Sequence, residues 1–93
     1  EYSVTSNEFE RERMELLLEK AISGVIDGVR VVSIDEVELR FSSKNGMPDA
    51  TIYIEDKGIL FVYNSGYEKA WSVFGLLVSS MAEHFNGVEV NEL

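Results

Sequence analysis

The sequence predicts a small α+β domain, with two helices over one face of a mainly antiparallel sheet of three or four strands. Three observations point there. Two segments carry apolar residues at helical spacing, each opened by a cap signal. The stretch between them alternates apolar and polar residues and is punctuated by turn sequences. Caps, turns and periodicity also place the same boundaries, in the order α-β-β-β-α-β, within one domain covering residues 1–93.

The first helix opens at a capping box, Thr5 with Glu8, with Ser6 or Asn7 as alternative caps. Met14, Leu17, Leu18, Ala21, Ile22 and Val25 fall within an arc of roughly 140° and should face the core. Ser23-Gly24 or Asp27-Gly28 should end the helix through a left-handed glycine. From Arg30 to Ser42 the chain reads as extended. Val37, Leu39 and Phe41 alternate with Glu36, Glu38 and Arg40, but the phase does not carry back through Val31, Val32 and Ile34. A bulge or a short separate strand near Asp35 would account for that.

Lys44 to Asp49 is a polar connection. Ala50 to Glu55 forms the next strand, Asp56-Lys57-Gly58 a tight turn, and Ile59 to Tyr63 an all-apolar strand suited to a central position. The second helix opens at another capping box, Ser65 with Glu68. Tyr67, Trp71, Phe74, Val78, Met81 and Phe85 line one face, flanked by Ala70 and Leu77, with Trp71 expected at the core's centre. Asn86-Gly87 stops the helix, and Val88 to Val90 can add a short strand. Ser72, Gly75 and Ser79 make a face small enough to admit the first helix or a symmetric copy of the chain.

There are 17 acidic and 8 basic side chains, a formal net charge of -9. That balance repels nucleic acid and anionic membrane and favours a basic protein partner. Without cysteine there are no disulfides or thiolate metal sites. The longest uncharged run, Ala70 to Ala82, is 13 residues, where a bilayer span needs about 20. The chain opens at Glu1 without a basic or apolar leader, so a trimmed start and a cytoplasmic location are expected.

Chemistry-bearing motifs are scarce. His84 is the only histidine, with Glu83 its sole acidic neighbour in sequence, and it reads as a helix-end residue. No serine sits in a nucleophile elbow, and Asn64-Ser65-Gly66 lacks the glycines and lysine of a phosphate loop. Asp35-Glu36-Glu38 and Glu55-Asp56 do not have calcium-loop spacing. The expectation is a non-enzyme without cofactor or metal.

Charge placement is more informative. Glu8, Glu12, Glu15 and Glu19 fall within roughly a 60° arc of the first helix. Like charges at this spacing cost about 0.2–0.5 kcal/mol per pair. The ridge is either a solvated face or a docking surface for a basic protein. Phe9 and Leu16 lie off the core stripe beside it and would serve as anchors. Glu36, Glu38, Tyr53 and Glu55 form a second candidate surface on the outer sheet face, with Arg40, Thr51, Leu60 and Val62 sharing it if the register holds.

In size, charge and element order the chain resembles several unrelated groups. These are bacterial immunity proteins, phage-encoded inhibitors that imitate nucleic acid, and secretion chaperones. The likeness transfers no residues. The leading expectation is an acidic binding module that docks on a basic partner, as an inhibitor or immunity protein does. The alternatives are a dimeric adaptor or chaperone holding an extended segment, and a small-ligand domain with a cavity under the second helix.

Overall fold

A computed structural model of the chain describes residues 1–42, 46–64 and 67–93, the side chains of Val25 and Ile26 excepted. The elements are strand β1 (Tyr2–Thr5), helix α1 (Arg11–Ile22), a 3-10 turn (Ser23–Gly28), strands β2 (Val29–Ser33), β3 (Glu36–Leu39), β4 (Ala50–Ile54) and β5 (Gly58–Tyr63), helix α2 (Glu68–His84) and strand β6 (Glu89–Glu92). The strands form one six-stranded antiparallel sheet in the order β2-β3-β4-β5-β1-β6. Both helices pack on the same face. The expected architecture is present, with a wider sheet.

The period-two pattern decides which side chains meet the helices. Val4, Val37, Leu39, Ala50, Ile52, Ile54, Ile59 and Phe61 are buried together with Met14, Leu17 and Leu18 of α1 and Ala70, Val73, Phe74, Leu77 and Met81 of α2. The other set looks outward. Cross-strand pairing aligns Glu36, Tyr53, Leu60, Ser3 and Asn91 in one row, and Arg30, Glu38, Thr51 and Val62 in the next. Leu60 and Val62 thus join the outer face in the register the alternation requires.

The break in phase before Glu36 is a hairpin. β2 and β3 are separate strands, and their pairing slips between Val31 and Ser33. That slip is a bulge, which re-aims the residues after Val31.

Strand β1 replaces part of what reads as the first helix. Thr5 pairs with Gly58 and Glu89 and caps nothing. The cap position of α1 is Glu10, with no side-chain hydrogen bond to the helix. Ser6 is buried, accepts from the Glu8 amide at 3.1 Å and donates to Asn86 O at 2.5 Å, which ties the end of β1 to the loop after α2. β1 and β5 approach closely at Gly58. A Cβ there would lie 1.8 Å from Val4 O, so only glycine fits.

Helix ends also differ from expectation. Neither Gly24 nor Gly28 adopts a positive φ; α1 runs from Ile22 directly into the 3-10 turn, which also takes in Val25. Gly28 is needed for space, because the Phe41 ring lies where its Cβ would be. The cap position of α2 is Tyr67, again without a side-chain cap bond, and Ser65 lies outside the described residues, as do Lys44 and Asn45 of the polar connection. Gly87, at φ 62°, supplies the left-handed turn after α2.

The centre of the core is Phe61, not Trp71. Phe61 is fully buried and its ring stacks on Phe74 with centroids 4.4 Å apart. Trp71 is 42% exposed and closes the edge of the cluster against Tyr2, Tyr63 and Phe74 at 5.2–5.4 Å. In the first turn of α2, Ala70 takes the buried position and Trp71 the margin beside it. Ser72, Gly75 and Ser79 are exposed, and α1 meets α2 on another side, where Arg13 donates to His84 O at 3.3 Å.

Candidate functional site

The glutamate ridge survives in shortened form. Glu8 precedes α1, and its carboxylate accepts from the Asn86 amide at 3.3 Å. Glu12, Glu15 and Glu19 remain on the helix. Among the described residues none of these three makes an ion pair. The arginines of the same helix turn elsewhere. Arg11 reaches Asp35 at 3.7 Å and Asp56 at 3.4 Å, fastening α1 to two hairpin turns. Arg13 reaches Glu10 at 3.6 Å and lies over the Phe85 ring at 5.8 Å.

The two expected anchors part company. Phe9 is half-buried, packed on the core with its ring 5.4 Å from Phe85, and so is not a free side chain beside the ridge. Its position outside α1 removes the helical phase that placed it there. Leu16 is 67% exposed, a turn away from both Glu12 and Glu19.

A feature the sequence pattern did not single out lies on the other side of the ridge. Between α1 and the β2–β3 hairpin runs an open groove of about 310 Å³. Glu15, Leu18, Glu19 and Ile22 form its helix side. Val31, Ser33, Ile34, Val37 and Ile54 form its sheet side. Leu18, Val37 and Ile54 are buried and floor it, while Val31 at 66% and Ile34 at 76% exposure stand open on the rim. The signal was present in the broken phase at Val31-Val32-Ser33-Ile34. Apolar residues that fit neither face of a strand are residues the core does not absorb.

Val29, the other inward residue of β2, packs on the core, so the exposed aliphatic surface begins at Val31.

On the outer sheet face Glu38 is already paired. Arg40 donates to both oxygens of Glu38, at 2.9 and 3.3 Å, and Arg30 lies 3.8 Å away. The Arg40 hydrogen bonds hold the Glu38 carboxyl below its ordinary pKa, against the opposing effect of desolvation. Glu36 and Tyr53 are half-buried neighbours across β3 and β4, and Glu55 is exposed at the β4–β5 turn.

His84 is exposed, with Nδ1 2.9 Å from Ser80 O. The space between α2 and the sheet is filled by Phe61, Phe74, Leu77 and Met81. Among the described residues no helix is long and apolar enough to cross a membrane. Compared with known proteins, the chain matches no family model, no curated protein and no solved structure.

Proposed function

We propose that this chain is a non-enzymatic acidic binding module that docks on a basic protein partner, in the manner of an inhibitor or immunity protein, through the groove between α1 and β2. One observation carries the reading: unpaired Glu15 and Glu19 stand on the wall of an open apolar groove whose rim exposes Val31 and Ile34. Carboxylates beside exposed aliphatic surface steer a cationic partner and then bury its apolar stems. Glu12 and Leu16 extend the surface over the crest of α1. Glu36, Glu38, Tyr53 and Glu55 contribute less, since Glu38 is already held by two arginines.

Selection of a displayed random-peptide library on the immobilised protein tests this. Enrichment of sequences rich in lysine or arginine, lost on the Glu15→Lys/Glu19→Lys variant and at high salt, is the expected result. Enriched sequences without cationic residues, or equal recovery on the variant, would contradict it.

A further inference from the structure

The groove has an unfinished side. β2 ends the sheet order, so among the described residues no strand lies along its outer edge. Which backbone groups face that edge follows from the ladder. Arg40 N donates to Gly28 O at 2.6 Å, which makes Gly28 and Arg40 a hydrogen-bonded pair. Such pairs alternate along an antiparallel ladder. Arg30–Glu38 is then the next hydrogen-bonded pair, and Val29–Leu39 and Val31–Val37 are the pairs that do not exchange bonds. The N–H and C=O groups of Val29 and Val31 therefore turn away from β3, toward the open edge.

The side chains at the same two positions share a face with Leu39 and Val37, the face that carries the groove. Backbone bonding capacity, exposed aliphatic surface and unpaired carboxylates thus meet along one edge. We infer that the partner is an extended segment that adds to β2 as a seventh strand, with lysine or arginine at alternate positions laid across the groove toward Glu15 and Glu19. This deepens the proposed function and rests on it.

The pattern follows from the geometry. A strand added beyond β2 projects every second side chain to the groove face. Only a long side chain crosses from there to α1. Its aliphatic stem covers Val31 and Ile34 while its charged head reaches the carboxylates. The residues between fall on the outer face beside Arg30, where a further cation is unfavourable and a neutral residue fits. Edge addition of this kind takes affinity from main-chain bonds and specificity from alternate side chains.

A second copy of the chain is the competing occupant. Two β2 edges pairing would bring together two acidic α1 ridges on molecules of formal charge -9 each. The charge argues for a cationic strand instead.

The test is a titration of the ¹⁵N-labelled protein with an acetylated and amidated hexapeptide of alternating lysine and valine, followed by NMR. Three other peptides are run beside it. One has the same composition with its three lysines consecutive, and the other two carry N-methyl groups on every second amide, one on each edge. The expected result is shifts at Val29, Val31, Glu15 and Glu19, about tenfold weaker binding of the consecutive peptide, and loss of binding on methylation of one edge only.

Equal binding of both methylated forms, with shifts still at the groove, would overturn strand addition and leave the proposed function standing. No shift at the groove with any cationic peptide would overturn both. A concentration-dependent dimer with the Val29 and Val31 amides already protected would also overturn strand addition, in favour of the second copy.

Discussion

Two regions of the sheet are finished in opposite ways. Over β5 and β1, the 17 residues of α2 bring Phe74, Leu77 and Met81 down onto Phe61, and an aromatic cluster from Tyr2 to Trp71 closes the side. Over β2 and β3, the 12 residues of α1 present Glu15 and Glu19 where further apolar contacts would have sealed the layer. One region gathers the large apolar side chains, and stability should reside there. The other leaves aliphatic residues in water beside charge, an arrangement that contributes little to folding. A helix's contribution is thus set by what stands at the margins of its apolar stripe as much as by the stripe itself.

The contrast makes its largest prediction at the two apolar extremes. Phe61→Ala should cost about 3–5 kcal/mol, since it empties the centre of a dense core. Ile34→Ala, on the groove rim, should stay within about 0.5 kcal/mol. Urea denaturation of both variants checks the pair, and comparable losses would mean that the groove end is part of the fold's structural core. Trp71→Ala tests the boundary. With 42% of the residue exposed, the cost should be intermediate, about 2 kcal/mol.

Smaller effects come from charge. Glu12–Glu15 and Glu15–Glu19 are like pairs at helical contact spacing, each unfavourable by about 0.2–0.5 kcal/mol. The Glu15→Gln/Glu19→Gln variant should therefore melt at the wild-type temperature or slightly above it. A clear drop in melting temperature would show that these carboxylates support the fold. Glu38 is the counter-case. Its folded pKa lies below the ordinary carboxylate value of 4.5, so its stabilisation is present above that value and is lost as pH falls through the folded pKa. Glu38→Gln should flatten the acid side of the stability–pH curve by a small amount, as acid titration of the fold by circular dichroism would show.

The sequence made the helices, the β2–β3 break, the β4–β5 turn and the inward set of strand residues legible, because each depends on neighbours within a few positions. Strand β1 was not legible. Its partners are Phe61 and Glu92, far along the chain, and Thr5 and Glu8 imitate a cap that the buried Ser6 puts to another use. Trp71 was misplaced for a related reason: periodicity gives the direction of a side chain on a helix, and only the width of the layer below says whether that direction is covered. The carboxylates of the candidate site were visible as a ridge. Its apolar half was hidden, because Val31 and Ile34 read as a fault in strand phase, and whether α1 covers them is a tertiary matter. Phe9 shows the converse error, since a residue assigned to a helix it precedes was given the wrong face.

The most direct test of the account is the ionic-strength dependence of binding of the lysine–valine hexapeptide to the wild type and to Glu15→Gln/Glu19→Gln. The wild type should bind more weakly as salt rises from low to moderate concentration, as expected of partly exposed charges. The double variant should bind weakly throughout with little salt dependence. Equal affinity and an equal salt slope in the two proteins would contradict the claim that the acidic wall of the α1–β2 groove is where this protein meets its partner.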